Sequence, residues 1–290
     1  MKSESVPTPM SEDAAPATSG SSSRAGRNVP VAIAVGVVMG AAVLASLYLV
    51  PWLFLVLLEG ALVIGCWEIV TALKTKDIEV AFVPTAIAII AIGLVAYEWG
   101  TQAFALSVGI TWLVLVALRL MRGPDGFIRD AGATVLVYTY LGVFGSFAAL
   151  MLSQTRGADR VMIMVALVVS NDVGGYVTGV FFGRHPIAPT LSPKKSWEGF
   201  VGSVILACGI GAWLTVWLMH GHIWQGMLLG FAVAVSATFG DFLESALKRD
   251  LGVKDLGKLL PGHGGMMDRL DSELPSALVT YVLLFAFLGA

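Results

Sequence analysis

Long apolar segments, each about the length of a membrane-spanning helix, follow one another through most of the sequence. Only a helix satisfies its own backbone polar groups inside lipid, and it needs roughly 20 mostly apolar residues to cross the hydrocarbon core. Charged residues make up 13% of the chain, whereas soluble domains usually contain about 25%. The sequence therefore predicts an all-α, polytopic membrane protein.

Nine segments meet this length requirement, and the last is the least apolar because it starts with DRLDSE. We expect a disordered tail at residues 1–28, rich in Ser, Pro and Gly, then five N-terminal spans at 29–160 and four C-terminal spans at 161–290. The candidate spans are residues 29–49, 52–73, 79–97, 102–121, 131–153, 161–182, 199–219, 224–247 and 268–289.

The basic residues predict the orientation of these spans. Of the 18 Lys and Arg residues, 16 fall in the tail and in the even-numbered connections, and only Arg156 and Arg160 fall elsewhere. Connections rich in Lys and Arg stay on the cytoplasmic side of a membrane. We therefore expect a cytoplasmic N-terminus and, with nine spans, a C-terminus outside.

Charge and cysteine content argue against two other classes of site. The net charge of −2 does not suit a nucleic-acid partner, because binding to phosphate backbones requires a basic surface. Cys66 and Cys208 both lie in apolar segments. We expect them to be small buried side chains rather than parts of a disulfide or a metal site.

Ionisable residues inside the predicted spans are the first indication of function. Each costs about 2.5 to 3.5 kcal/mol on insertion scales, so such residues are rare unless they have a role. Glu59 and Glu68 lie in the second span, Asp172 in the sixth, and Asp241 and Glu244 in the eighth. We expect Asp172 to lie in or beside a functional site, whereas nothing near Glu59 or Glu68 suggests chemistry.

Two predicted helix ends carry acidic residues at helical spacing. Asp241, Ser245 and Lys248 share one face of the eighth span, and Asp268 and Asp271 share one face at the start of the ninth. Ion pairing at a helix end and favourable interaction with the helix dipole are the simpler explanations. However, Mg²⁺ is typically held by one or two carboxylates together with substrate phosphates. The two ends therefore predict a site for a metal-bound polyphosphate.

Basic and glycine residues near these carboxylates suit phosphate groups. The sixth connection supplies a second basic cluster, in which Ser196 is expected to cap the next helix. A solvated loop attracted to lipid headgroups is the alternative explanation for that cluster. Arg249 and Arg269 are candidate catalytic residues. The candidate substrate contacts are Asp172, Lys254 and Lys258, the flexible His263, Gly264 and Gly265, and Arg184, Ser192, Lys194 and Lys195 of the sixth connection.

Two stretches resemble the phosphatidate cytidylyltransferases, also called CDP-diacylglycerol synthases. Residues 245–272, SALKRDLGVKDLGKLLPGHGGMMDRLDS, match the family signature at every position that we identify. Residues 181–200, FFGRHPIAPTLSPKKSWEGF, and Asp172 also fit, although Gly175 stands where an alanine is expected. The resemblance covers about residues 170–275, whereas the first five spans are similar to the family only in being apolar.

This resemblance implies an enzyme of phospholipid biosynthesis in the cell membrane, with its active site on the cytoplasmic side. It implies that CTP and phosphatidic acid give CDP-diacylglycerol and pyrophosphate, that Mg²⁺ is required, and that the enzyme is a homodimer. The positions that match the family's metal site, which can also hold a monovalent cation such as K⁺, are Asp241, Asp268 and Asp271. Ser245 and Lys248 match positions at the same centre.

Two alternatives predict different behaviour. A CTP-dependent polyprenol or phytol kinase would transfer the γ-phosphoryl group to a lipid alcohol and release CDP instead of pyrophosphate. A membrane transporter would use the carboxylates as an ion pathway, with polar residues spread across the full depth of the bilayer.

Overall fold

The computed structural model describes residues 40–257 and 265–289, and this part of the chain is mostly helical. The predicted tail and the first residues of the first predicted span, 29–39, lie outside the described residues. So do the candidate substrate contacts Lys258, His263 and Gly264. Within the described ranges, the helical class that the sequence predicts is confirmed.

Ten α-helices form the described chain. A 3₁₀ turn, Lys74–Lys76, follows the second helix, and a π-helical turn, Tyr138–Val143, joins the fourth to the fifth. The helices are α1 Gly40–Leu49, α2 Pro51–Leu73, α3 Phe82–Leu120, α4 Phe127–Val137, α5 Phe144–Leu152, α6 Gly157–Phe182, α7 Trp197–Met219, α8 Ile223–Leu251, α9 Met267–Leu270 and α10 Glu273–Leu288.

Seven helical segments of the described chain are long and apolar enough to cross a membrane. These segments establish a polytopic membrane protein, but they do not confirm the count of nine spans, because the third and fourth predicted spans form the single 39-residue helix α3. A straight helix of that length would measure about 58 Å, nearly twice the hydrocarbon thickness. Gly100 interrupts α3 with φ 72° and ψ −165°, a conformation that glycine tolerates.

A short antiparallel hairpin follows α6 and departs from a purely helical fold. Its strands are β1, Pro186–Ala188, and β2, Ser192–Ser196, and the register between them is irregular. As the sequence predicts, Ser196 caps α7, because its hydroxyl accepts a hydrogen bond of 3.1 Å from the Gly199 amide. The second strand therefore leads directly into α7, and it carries Lys194 and Lys195.

Helices α6, α7, α8 and α10 share one apolar core, which includes the buried Leu167, Leu214, Leu229 and Leu284. Small residues let these helices approach closely. A Cβ at Gly174 of α6, for example, would lie 2.7 Å from the Gly202 carbonyl oxygen of α7. This tight packing fixes α6, which carries Asp172, against α7.

The cysteine prediction is only half correct. Both thiols are free, and Cys66 is buried as expected. Cys208 is half-buried on α7 and donates a hydrogen bond to the Met227 carbonyl of α8. Its thiol therefore lies at a helix boundary rather than inside the core.

The packing of α7 on α8 gives the first testable prediction. A Cβ at Gly230 would overlap the Ala207 carbonyl group, whereas a Cβ at Gly209 has no neighbour within 4 Å. Gly230→Ala should therefore destabilise the protein by about 1–3 kcal/mol through overpacking. Gly209→Ala should instead stabilise it by about 0.5–1 kcal/mol. Thermal unfolding in detergent measures both, and equal effects of the two substitutions would contradict the described helix contact.

Candidate active site

A cavity of about 390 Å³ lies between α6, the hairpin, α7 and α8. It brings together five of the residues that the sequence identifies as candidate site residues. Asp172 comes from α6, Asp241 from α8, and the hairpin strand β2 contributes the remaining three. The shared lining residues are Asp172, Ser192, Lys194, Lys195 and Asp241.

Lys195 crosses from β2 to α8 and contacts the carboxylate of Asp241. Its ammonium also lies 5.4 Å from the centre of the Phe242 ring. Burial lowers the pKa of Lys195 to about 8, although the carboxylates of Asp271, Asp172 and Glu244 oppose this shift. The lysine is therefore a cation held among several carboxylates at the wall of the cavity.

Asp241 also connects α8 to the start of α10. The hydroxyl of Ser272 donates a hydrogen bond of 2.9 Å to Asp241 Oδ1. At the neighbouring position, Gly240 packs so closely on the Asp271 carbonyl that a Cβ there would overlap it. The eighth and ninth predicted spans are therefore in contact at Asp241 and Asp271.

A second acidic group lies beside the cavity, where α8 meets α9. Lys248 contacts Glu244 Oε2 at 2.7 Å, as expected for an i, i+4 ion pair, and it also contacts the carboxylate of Asp268. Glu244 is only 4% exposed and lies within hydrogen-bonding reach of both Asp268 and Asp271. Lys248 thus pairs with two carboxyl groups, one from α8 and one from the α9 segment, and Asp271 interacts with it electrostatically.

The remaining candidate residues lie around these two groups. Asn171 donates to Asp172 Oδ1 at 3.2 Å, and the Gly265 amide donates to Asp268 Oδ2 at 2.6 Å. The Arg184 amide donates to Glu198 Oε2 at 3.1 Å. Ser245 is half-buried on α8. The side chains of four basic candidates are exposed: Arg184, Arg249, Lys254 and Arg269.

The structure therefore divides the candidates into two adjoining sets. The residues from the hairpin, α6 and the middle of α8 line the cavity, whereas those from the end of α8 and the α9 segment do not. Ser272 and the electrostatic interaction between Lys195 and Asp271 connect the two sets. The candidate residues outside the cavity lining are Arg184, Ser245, Lys248, Arg249, Lys254, Gly265, Asp268, Arg269 and Asp271.

The donor chemistry of this region suits a hard divalent cation. Among residues 40–257 and 265–289, no group of three or more His, Cys, Asp and Glu side chains is arranged as a complete metal site. Mg²⁺ does not need such a group, since it is usually bound by one or two carboxylates together with phosphate and water oxygens. The carboxylates of Asp241, Asp268 and Asp271 fit that donor set, and the metal assignment stays a prediction.

Sequence reasoning missed a role for Glu68. This α2 residue is 1% exposed, and its carboxylate accepts hydrogen bonds from the amides of Met266 and Met267, directly before Asp268. A carboxylate predicted to lie at membrane depth was the signal that pointed to it. Its partners were not predictable, because they are backbone amides about two hundred positions along the chain.

The chain is thus an integral membrane protein whose helices and hairpin enclose a charged cavity suited to phosphate groups. A model of the Cytidylyltransferase family matches residues 30–287. The chain therefore belongs to this family, whose members are nucleotidyltransferases.

Named relatives make the comparison more specific. The phosphatidate cytidylyltransferase of Mycobacterium leprae is 41% identical over 279 residues, which cover 90% of this chain and 89% of the relative. That of Mycobacterium tuberculosis strain H37Rv is 37% identical over 277 residues, covering 90% and 84%. That of Helicobacter pylori strain 26695 is 40% identical over 151 residues, covering 52% and 56%.

Proposed function

We propose that this site joins CTP to phosphatidate and produces CDP-diacylglycerol and pyrophosphate. The observation that carries the assignment is the similarity of 90% of the chain to phosphatidate cytidylyltransferases at 37% and 41% identity. The chain is thus a nucleotidyltransferase of phospholipid synthesis. Its substrates also explain why charged residues lie against apolar helices, since one reactant is held in the bilayer and the other is dissolved in water.

The reaction needs no nucleophilic side chain, because phosphatidate supplies the nucleophile. One of its phosphate oxygens attacks the α-phosphorus of CTP and forms a new P–O bond. The bond from the α-phosphorus to the bridging oxygen breaks, and pyrophosphate leaves with that electron pair. Because both reactants are anions, catalysis depends on positioning and charge neutralisation.

In this proposal Asp241, Asp268 and Asp271 hold Mg²⁺, and the same region can accept a monovalent cation such as K⁺. When bound, Mg²⁺ neutralises charge on the CTP phosphates. Lys248, with the exposed Arg249 and Arg269, offsets the charge that develops on pyrophosphate.

The lysines and the carboxylates lie close enough to act on one bound polyphosphate. Lys195 contacts Asp241, and Lys248 contacts Asp268. A phosphate attached to a cation on these carboxylates would therefore lie within reach of both ammonium groups. This proximity supports a shared site for the metal and the phosphates.

The other basic candidates surround this centre. Lys194 and Lys195 bind the triphosphate or the lipid phosphate, and Asp172 lies beside them in the cavity wall. The same proposal assigns substrate contacts to Arg184, Ser192, Lys254, Lys258, His263, Gly264 and Gly265.

We also propose nine spans, a cytoplasmic N-terminus, an outside C-terminus and an active site at the cytoplasmic face of the cell membrane. The distribution of basic residues supports this orientation. The break at Gly100 supports a division of α3 into two spans. The proposed homodimer rests on the family resemblance.

The products of CTP turnover test the proposed reaction. Purified protein in detergent with phosphatidate, Mg²⁺ and CTP labelled on the α-phosphate should form labelled CDP-diacylglycerol and release one pyrophosphate for each lipid product. In a parallel assay, a lipid alcohol replaces phosphatidate. Formation of labelled CDP without a labelled lipid in that assay would indicate the polyprenol or phytol kinase reaction. Ion flux in proteoliposomes without CTP turnover would indicate a transporter. Either outcome would contradict the proposal.

A further inference from the structure

We infer that Glu68 is a positioning residue, which holds the segment carrying Asp268 and Asp271 in place for the reaction. Glu68 lies on α2, in the N-terminal half of the chain, where the family resemblance assigns no site residue. The inference therefore gives the N-terminal helices a part in catalysis, and it takes the cytidylyltransferase activity as given.

The carboxylate of Glu68 is hydrogen-bonded to the backbone directly before Asp268. Glu68 Oε1 accepts from the Met266 amide at 3.0 Å, and Oε2 accepts from the Met267 amide at 2.9 Å. Amides at the start of a helix have no partner within that helix, and a nearby negative charge stabilises them. Glu68 supplies both partners from another helix, so it fixes the backbone that leads into α9.

The same carboxylate packs against two glycines, one on each side of residues 258–264. A Cβ at Gly265 would lie 2.6 Å from Glu68 Oε2, and a Cβ at Gly257 would overlap the Glu68 carboxyl group. The Cβ at Gly265 would also lie 2.8 Å from the Gly257 amide nitrogen. A side chain at either glycine would displace the Glu68 carboxylate, so α2 is in close contact with the chain at both Gly257 and Gly265.

This backbone in turn places the candidate metal ligands. The Gly265 amide donates a 2.6 Å hydrogen bond to Asp268 Oδ2, so a shift of Gly265 would move the Asp268 carboxylate. A second contact comes from the π-helical turn, where the Tyr140 hydroxyl donates to the Asp271 carbonyl at 3.1 Å. Displacements of about 1 Å at a reacting centre can lower rates by about 10²-fold.

A neighbouring glutamate on α2 provides a matched control. Glu59 is 7% exposed and faces Gly93 of α3 as closely as Glu68 faces Gly257. Its carboxyl oxygens have no hydrogen-bond partner among the described residues, and it lies outside the contacts of the α9 segment. Both residues are buried carboxyl groups on one helix, but only Glu68 contacts the catalytic segment.

The first experiment compares Glu68→Gln with Glu59→Gln in purified full-length enzyme. Glu68→Gln replaces one acceptor oxygen with an NH₂ group that faces a backbone amide. We expect kcat to fall about 10- to 100-fold, the usual effect of losing a residue that orients a ligand, with a smaller change in the KM for CTP. Glu59→Gln should keep wild-type kcat per folded molecule. If Glu68→Gln only lowers the unfolding temperature or yield and keeps wild-type kcat, the inference is wrong.

A double-mutant cycle tests the contact itself. Gly257→Ala should lower kcat because its Cβ displaces the Glu68 carboxylate. In a Glu68→Ala background the Cβ has room, so Gly257→Ala should cause little further loss. Additive losses would overturn the inference, because residues in contact give non-additive effects.

If Glu68→Ala does not fold, the kcat of Gly257→Ala alone tests the inference. A wild-type kcat in that variant would contradict the contact between Gly257 and Glu68. The kcat of each variant is compared with the kcat of the wild-type enzyme in the same reaction. Failure of this inference would therefore leave the assigned reaction intact, whereas absence of CTP turnover in the wild type would count against the reaction itself.

Discussion

Replacing Asp268 or Asp271 with Asn should reduce turnover at least about 100-fold, because each substitution removes a negative charge and one oxygen ligand from the proposed Mg²⁺ site. Loss of a residue that only orients a metal ligand already lowers metal affinity or activity by roughly 10- to 100-fold. The Mg²⁺ concentration that gives half-maximal activity should also rise in any variant with residual activity. Steady-state assays at several Mg²⁺ concentrations measure both effects.

Asp250→Asn is the matched control for these variants. Asp250 is exposed and lies near the end of α8. Its substitution removes the same charge from the same charged stretch of the chain. It should keep turnover close to that of the wild type. A folded Asp268→Asn or Asp271→Asn variant with near-wild-type turnover would remove the metal assignment.

Lys195→Ala should lower turnover by about 10²- to 10³-fold, the range found when a single group that stabilises developing charge is removed. Lys195 lies in the cavity wall, its side chain is 32% exposed, and it contacts Asp241. Its loss would remove a cation from the phosphates and leave Asp241 without its ion pair. Lys195→Arg keeps the positive charge and should retain more activity than the alanine variant.

The kinetic pattern identifies what Lys195 binds. A raised KM for CTP indicates the triphosphate, whereas a raised KM for phosphatidate indicates the lipid phosphate. Lys76→Ala, which removes an exposed lysine just after α2, is the control and should leave both constants unchanged. Equal turnover in Lys195→Ala and Lys76→Ala would exclude Lys195 from the reaction centre.

The membrane helices were predictable because lipid imposes a simple requirement on length and polarity. The apolar segments for α2, α6, α7 and α8 are visible in the sequence within a few residues of their ends. The number of spans was harder to obtain, since hydropathy does not distinguish two spans from one long helix with a break. Gly100 shows why, because a single backbone conformation separates the two halves of α3.

The hairpin after α6 was not predicted. Its second strand, Ser192–Ser196, reads SPKKS and has neither the alternation nor the β-branched residues that indicate a strand. It is held instead by pairing with β1 and by the Ser196 cap on α7. Its basic residues were visible without knowledge of the backbone, and Lys194 and Lys195 both line the cavity, whereas Arg184 does not.

Part of the site was predictable from spacing within one helix, and part was not. The pairing of Glu244 with Lys248 follows from i, i+4 spacing alone. The contact of Lys195 with Asp241 depends on how β2 approaches α8, and the contact of Glu68 with Met266 depends on how α2 packs on α9. Contacts of this kind require the tertiary arrangement, which a single sequence does not specify.

The proposed mechanism depends on a divalent cation that carboxylates from α8 and the α9 segment would hold together with the CTP phosphates. Anomalous diffraction from crystals grown with Mn²⁺ and CTP locates such a cation directly. We expect a peak bound by the carboxylate oxygens of Asp241, Asp268 or Asp271, at about 2.1 Å if the ion adopts Mg²⁺-like coordination, and in contact with a CTP phosphate. A peak elsewhere in the protein, with CTP bound away from these three residues, would contradict it.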